Sequence, residues 1–554
     1  MIGAFDYIVL GAGSAGCTLA SRLSENSNTS VALIEAGGSD GSWMIRMPLG
    51  VGELLRSGRH NWNYMSEPEA GLGGRKISHP RGKVLGGSSS INGMVYTRGH
   101  ALDYDNWVSQ FGCDGWGYAD VLPYFKRAET SSRGSNLYRG GSGPLQVSVP
   151  KFAANPLNSA FIAAGKEAGY PVTQDSNAYQ FEGFGPNECT IHNGERWSAA
   201  KSYIKPNLKR PNLKIIADSH IDKISIEGAR ATHVVISRGG RLEVVKAKRE
   251  IVVCCGAIDS PKLLLLSGLG PADHIRSMGI EVISDIPGVG ANLQDHPDLA
   301  LQYWCKQPVS LYATTRIHQR WLTGIRWFLS RKGQASINQF EVAGYIRTHA
   351  GIQYPNLKLE FLPLALIPDS FDPQPGHSFQ IHMTLQRAES RGNVTLSSPD
   401  ASVAPKIRFN YLSHPQDLTN FQAAIRLTRE IIAQPAMKEF AGEEIDPGKD
   451  VQSDAELDKW IRERVITAYH VSGTCRMGPV KDPYSVVDSQ LRVKGISGLR
   501  VVDASVMPLV VSSNINAPTI MIAERAADLI QGKKPLLESK ADFWTNSNWR
   551  TNQR

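Results

Sequence analysis

Two polar side chains towards the C-terminal end, His470 and Asn514, and two glycine-rich loops towards the N-terminal end carry the residue types that could do chemistry in this chain. His470 follows Ile466, Ala468 and Tyr469 and leads into Val471-Ser-Gly-Thr-Cys-Arg-Met-Gly478. An imidazole at such a strand-to-loop exit titrates near neutral pH when unperturbed and could act as a general base. The same pattern also suits a structural histidine. Asn514 and Asn516, in Ser512-Ser-Asn-Ile-Asn-Ala-Pro518, could simply cap the helix that Pro518 opens, a role that suits Asn516 especially.

The first glycine loop, Gly11-Ala-Gly13-Ser14-Ala15-Gly16, has the setting of a dinucleotide site. An apolar strand from Asp6 to Leu10 precedes it, a helical stretch from Ala15 to Ser24 follows, and a second strand, Val31 to Ile34, ends at Glu35. Gly11 can turn tightly, Gly13 admits a pyrophosphate against the backbone, Gly16 lets helix and strand pack, and Glu35 can accept from ribose hydroxyls. The carboxylate falls nineteen positions after Gly16, close to the spacing of about twenty that this role uses. Glycine spacing leaves both NAD and FAD open. The second loop, Gly86-Gly87-Ser88-Ser89-Ser90, offers backbone N–H groups and hydroxyls to an extended phosphate or an isoalloxazine edge, so two loops approach one large cofactor.

The elements that must position these residues are mixed α/β at both ends of the chain. Ile251 to Cys255 reads as a buried strand stopping at Gly256, with Pro261 placed to begin a helix. Leu499 to Val502 reads as another strand, ending at Asp503-Ala504, with a helix from Pro518 to Ile530 after it. These separated fragments are expected to pair in one sheet. The middle is richer in extended segments, such as Ser378 to Leu385 and Gly392 to Leu396, with a helix around Asp417 to Gln434, and is the natural roof over the cofactor. The expected units are a nucleotide domain from residues 1–150, 195–300 and 470–535, a substrate domain from 151–194 and 301–469, and a polar tail, 536–554, at the surface or disordered.

The 554 residues allow two or more units with sizeable cores, and 41% hydrophobic with 20% charged residues is the balance of an ordinary soluble enzyme. A net charge of +8 raises the question of nucleic acid or anionic lipid. The basic residues read as scattered, with no run longer than Lys533-Lys534 and no aromatic stripe among them, so nucleic acid is not expected and loose attachment to acidic lipid stays open. No stretch approaches the roughly 18 apolar residues of a membrane span. The N-terminus lacks the basic region of an export signal, and seven cysteines without CxxC spacing argue against a metal site or a disulfide framework, so a cytoplasmic protein is expected.

Taken together, the motifs resemble the glucose-methanol-choline (GMC) flavoprotein oxidoreductases over nearly the whole chain. Four blocks carry the resemblance: Gly11 to Gly16 with Glu35; Arg81 to Asn92; Gly256 to Gly270; and His470 with Asn514. Pro287 to His296, Ser390-Arg-Gly392 and Val502-Asp-Ala504 are further family-like pieces. The resemblance implies a Rossmann-like FAD-binding domain of discontinuous segments, within an α/β (α+β overall) fold, and a substrate domain with an antiparallel sheet and flanking helices. It implies FAD held by Gly11, Gly13, Ser14, Ala15, Gly16, Glu35, Ala36, Arg81, Gly86, Gly87, Ser88, Asn92, Gly93, Met94, Val95, Ile221, Gly256, Asp503, Ala504 and Asn516. In it the Ile221 backbone would meet adenine, Asp503 the ribityl or pyrophosphate portion, and Asn516 the pyrimidine side of the flavin. Some relatives attach FAD through a histidine where this chain has Ile91, so dissociable FAD is expected.

The same resemblance casts His470 as base and Asn514 as its partner in oxidising a primary alcohol, with Ala468, Tyr469 and Glu341 near the substrate. The likeness is greatest to bacterial choline dehydrogenases and aliphatic alcohol dehydrogenases. Where a proline commonly follows the catalytic histidine, Val471-Ser472 stands here, and Ala468 replaces a larger residue. An uncharged primary alcohol is therefore the first expectation and choline the second, with a quinone or dye-type electron acceptor rather than oxygen. The motifs leave the oligomeric state open. An NAD(P)-dependent reductase would leave the second and third blocks unexplained, a family-related lyase would use flavin without net redox, and a non-enzymatic flavin-binding protein would not need His470 and Asn514 where they stand.

Overall fold

Strands buried on both faces need unbroken apolar runs, whereas strands that wet one face alternate, and the two large sheets of this protein divide along that line. The computed structural model describes residues 2–368, 370 and 372–554. In chain order the strands of these sheets are β1 (Gly3–Leu10), β2 (Val31–Ile34), β3 (Gly183–Pro186), β4 (Leu213–Ile216), β5 (His220–Glu227), β6 (Arg230–Arg238), β7 (Arg241–Val253), β8 (Pro297–Cys305), β9 (Val342–Ile346), β10 (Leu357–Leu362), β11 (Ser378–Leu385), β12 (Ala441–Asp446), β13 (Ile466–Thr467) and β14 (Leu499–Val501). The helices that matter here are α1 (Ser14–Leu23), α2 (Gly256–Leu266), α3 (Ile317–Ser330), α4 (Pro415–Ile432) and α5 (Asn516–Ile530).

The first sheet runs β4-β2-β1-β7-β6-β5, with β14 against β7. Its inner strands are parallel, with Leu10 beside Ile34 and Val253, and Val253 beside Val501. Pieces of chain some 250 residues apart thus close one sheet, as the apolar runs predicted. α1 and α2 pack on it, α5 packs against α1, and β5 and β6 add an antiparallel extension.

The second sheet, β12-β8-β11-β10-β9-β3 with β13 on β8, is antiparallel throughout. Side chains alternate faces along its central strands. Leu299, Leu301 and Tyr303, Leu357, Leu359 and Phe361, and Phe379, Ile381 and Met383 enter one hydrophobic core under α4. The residues between them face the other way, towards the first sheet. The expected boundary at residue 300 falls inside β8, which belongs to this second sheet from Pro297 onward.

Two local expectations are corrected and a third, a tail at the surface or disordered, is narrowed to the surface. Pro261 does not begin a helix but lies inside α2. A proline there cannot bond the carbonyl four residues back, and that oxygen, on Ala257, accepts from Thr474 Oγ1 at 2.7 Å instead. Asn516 is the first residue of α5 rather than its cap; its Oδ1 accepts from Ser14 Oγ at 2.7 Å. The polar tail is not loose: Arg347 Nη1 donates to Asn552 O at 3.0 Å, and Arg554 pairs with Glu430 at 2.6 Å.

Candidate active site

The two sheets enclose one cavity of about 900 Å³, and the residues expected to do chemistry line it, except Gly16, Gly86 and Glu341. Gly16 and Gly86 act through packing. A Cβ on Gly16 would lie 1.8 Å from Gly11 O, so only glycine lets α1 start that close to the turn. Gly86 N–H donates to Ala12 O at 2.8 Å, and a Cβ on Gly87 would stand 2.6 Å from Gly13 Cα, which joins the two glycine loops into one wall.

Gly13 and Gly256 have open space where a Cβ would sit, the cradle that an extended pyrophosphate requires. Glu35 accepts from the N–H groups of Ala12 and Gly37, both at 2.8 Å, and burial nevertheless pushes its carboxyl up to about 7. Asp503, its pKa raised by burial, accepts from Gly256 N–H at 2.9 Å and Ser260 Oγ at 2.5 Å, tying the start of α2 to the end of β14. These residues fit an adenine dinucleotide along the first sheet, with Ile221 and Ala36 at one end and Asn92 to Val95 at the other. Sequence reasoning missed the group that stiffens that far end. Arg196, buried without a carboxylate partner among the described residues and lowered to about 9 by burial, donates to Ser89 O, Asn92 O and Asn92 Oδ1.

The second sheet supplies the opposite wall. Asp298, Thr384 and Lys358 stand in register across β8, β11 and β10, as do Ala300, His382 and Glu360, and Gln302, Gln380 and Leu362, and all nine line the cavity. Lys358 Nζ lies 2.6 Å from Glu360 and donates to Asn514 Oδ1 at 2.9 Å. That contact turns the Asn514 NH₂ towards His470, whose Nε2 it meets at 2.9 Å, so Nε2 is the unprotonated, accepting nitrogen. His470 Nδ1 then donates to His296 Nδ1 at 2.9 Å, and Asp295 fixes the backbone by accepting from His470 N–H at 2.7 Å. Tyr469 holds a left-handed φ of +67° beside it and is anchored by Arg81, which donates to Tyr469 O at 2.8 Å.

Burial, then the neighbouring His296, Lys358 and Arg81, hold the His470 pKa well below 6.5, so the imidazole is neutral at pH 7. Burial alone would lower His382 too, but Asp298 at 2.6 Å outweighs it and raises that pKa. Glu341 is corrected as a substrate contact. In an extended chain neighbouring side chains alternate faces, and with Phe340 on the cavity wall Glu341 points away, accepting from Asn158 Nδ2 at 3.1 Å. Asp295 and His296 lay within the family-like piece ending at His296, but only proximity shows their part. Lys358, Glu360, Asp298 and His382 had a weaker signal, polar residues alternating with apolar ones.

A nucleotide-binding parallel sheet facing an antiparallel sheet, with a neutral histidine and a fixed amide on loops between them, is the arrangement of a dinucleotide-dependent oxidoreductase. The comparisons name the family. GMC oxidoreductase family models match residues 5–298 and 388–523. The chain is 47% identical over 549 residues to an oxygen-dependent choline dehydrogenase of Brucella suis biovar 1, covering 99% of this chain and all of the relative. It is 50% identical over 541 residues to one of Rhizobium etli, covering 98% of each. Among solved structures, pyridoxine 4-oxidase from Mesorbium loti matches with a TM-score of 0.87 and 32% identity over 96% of this chain and all of the other. Formate oxidase of Aspergillus oryzae matches with 0.89 and 27% over 96% and 98%. The chain belongs to the GMC oxidoreductase family; it is an FAD-dependent enzyme acting on CH–OH donors. Among the described residues no helix is long and apolar enough to cross a membrane.

Proposed function

We propose that this chain is a dehydrogenase of choline, taking the primary alcohol to the aldehyde. The observation that carries the chemistry is the Lys358–Asn514–His470 chain of hydrogen bonds at the cavity wall. An alcohol oxygen placed within reach of both His470 Nε2 and Asn514 Nδ2 gives its proton to the first and accepts from the second. The Asn514 amide, polarised by Lys358, opposes the negative charge that grows on that oxygen. His296 keeps the accepting nitrogen of His470 turned to the substrate by accepting a hydrogen bond from the other. FAD, when bound, supplies the acceptor for the hydride that leaves the alcohol carbon. The electrons are proposed to pass on to a quinone or dye-type acceptor.

Two things support choline as the alcohol: the names of the curated relatives at 47% and 50% identity, and the Asp298 carboxylate, which offers a trimethylammonium group a counter-charge on the same wall. Phe340 and Tyr469 add aromatic faces to the cavity. A second reading, an uncharged primary alcohol, is favoured by the Lys358 ammonium in the row that also holds Asp298. The cofactor is proposed to be non-covalent, since the aliphatic Ile91 lines the cavity where some relatives carry the attaching histidine. Anaerobic bleaching of the yellow protein tests both alcohols. Bleaching by choline at lower concentration than by butanol or a polyether alcohol supports the first reading; bleaching by the uncharged alcohols alone overturns it in favour of the second. Acid precipitation should leave the flavin in the supernatant, and flavin retained in the pellet would refute dissociable binding.

A further inference from the structure

The most apolar exposed surface among the described residues is one helix beside the mouth of the cavity. On α3, Ile317 is 75% exposed, Trp321 70% and Leu329 84%, with Leu322, Ile325 and Phe328 also more than half exposed. At 100° per residue these six occupy one arc of about 140°. A surface helix normally turns such a stripe inward; here the buried residue is Trp327, on the opposite side of the helix, its Nε1 donating to Gly194 O at 2.7 Å. Arg331, at the C-terminal end, pairs with Glu195 at 2.9 Å and stacks on Trp327. The helix is therefore pinned to the body by its back and presents its apolar face outward. The sequence reading missed this stripe because its cations are spaced rather than clustered.

Charge decides what can cover that face. From Lys306 to Phe340 the chain has no aspartate or glutamate. Arg316, Arg320, Arg326 and Lys332 are exposed, and among the described residues no carboxylate pairs with any of them. Arg320 and Arg326 flank the apolar arc on either side, so cations border a band of tryptophan, phenylalanine, leucine and isoleucine. An amphipathic helix of that composition lies flat in the interface of an anionic bilayer, its apolar face among acyl chains and its cations at the headgroups. A second copy of the chain would have to bring the same positive rim against itself.

We infer that α3 docks this enzyme on the surface of an anionic lipid bilayer. Leu311, Thr314, Thr315 and Arg320, from α3 and the segment leading into it, line the cavity, so docking sets the cavity mouth at the membrane surface. Trp43 and Leu49, both exposed, extend the apolar surface beside Phe328, with Trp43 and Phe328 rings 5.9 Å apart. This inference rests on surface chemistry and stands whichever alcohol the enzyme oxidises.

Flotation of the flavin-loaded enzyme with vesicles tests it. Vesicles of phosphatidylcholine and phosphatidylglycerol in a three-to-one ratio should carry the protein up, and vesicles of phosphatidylcholine alone should carry at least tenfold less. The double variant Trp321→Glu/Leu329→Glu should lose binding at least tenfold while keeping its flavin and its rate on a soluble alcohol, because neither side chain lines the cavity. Arg326→Glu/Lys332→Glu should weaken binding several-fold, as should raising salt from about 0.1 to about 0.5 M, which shortens the screening length. No flotation, equal flotation on both vesicle types, or flotation unchanged in both variants would overturn the inference. So would a lipid-free dimer that Trp321→Glu/Leu329→Glu converts to monomer, because a second copy would then be the occupant.

Discussion

The two walls of the cavity recognise their ligands by different means. The first sheet offers mostly backbone: N–H groups, glycines without a Cβ, and loops held against each other, with Glu35 and Asp503 bracing them. The second sheet offers mostly side chains, set out in rows by strand register. Backbone recognition depends on local conformation and so tolerates few residue types. Side-chain recognition can be changed one residue at a time without disturbing the sheet, which lets one family keep FAD while relatives act on choline, pyridoxine or formate, as their names indicate.

If that contrast holds, a change in the backbone wall should remove the cofactor, and a change in the side-chain wall should spare it. The largest effect is expected for Gly16→Val. Its side chain would collide with Gly11 O, 1.8 Å from the new Cβ, and the purified protein should be colourless, which an absorbance spectrum checks. His470→Ala should keep the yellow colour but slow anaerobic flavin reduction by about 10³-fold, the scale of a lost general base. Near wild-type reduction would remove His470 from the chemistry.

A smaller effect is expected from the pair that orients Asn514. Lys358→Met together with Glu360→Gln, which avoids leaving a buried carboxylate alone, should slow flavin reduction about tenfold, less than direct loss of a charge-stabilising donor. An unchanged rate would mean that the amide is held without Lys358.

The smallest effect is on stability. Burial lowers His100 and His296 to about 3, so between about 3 and 6.5 these two groups bind fewer protons in the folded chain than in the unfolded one. Their contribution is complete above pH 6.5 and is lost as pH falls, at about 1.4 kcal/mol per pH unit for each group. Glu35 and His382, held above their ordinary values, act in the opposite sense, so the effect is read as a difference: a flavin-loaded His100→Asn variant, which cannot take up that proton, should lose less of its thermal midpoint than the wild type as pH falls below 6.5. An equal loss in both would contradict the burial of His100.

The backbone wall was largely legible in the sequence. Gly11, Gly13 and Gly16 with Glu35, the apolar runs of β2 and β14, and the placing of His470 and Asn514 all follow from local pattern or family motif. Less legible were the residues that make His470 a base with one nitrogen turned to the substrate. Asp295, His296 and Lys358 lie 112 to 175 positions from it, and their roles depend on how the strands that carry or follow them are brought together. Glu341 shows the converse: a carboxylate in a suggestive stretch that a single step along the strand turns away from the cavity.

By itself the sequence determined which segments are glycine-built turns, which strands are buried on both faces and which alternate, because these depend on neighbours a few residues apart. Only the tertiary structure decided which alternating face lines the cavity rather than solvent, that Lys358 reaches Asn514, and that the apolar stripe of α3 faces outward. Those outcomes depend on how separated strands and helices are brought together, and polar alternation reads the same beside water as beside a substrate.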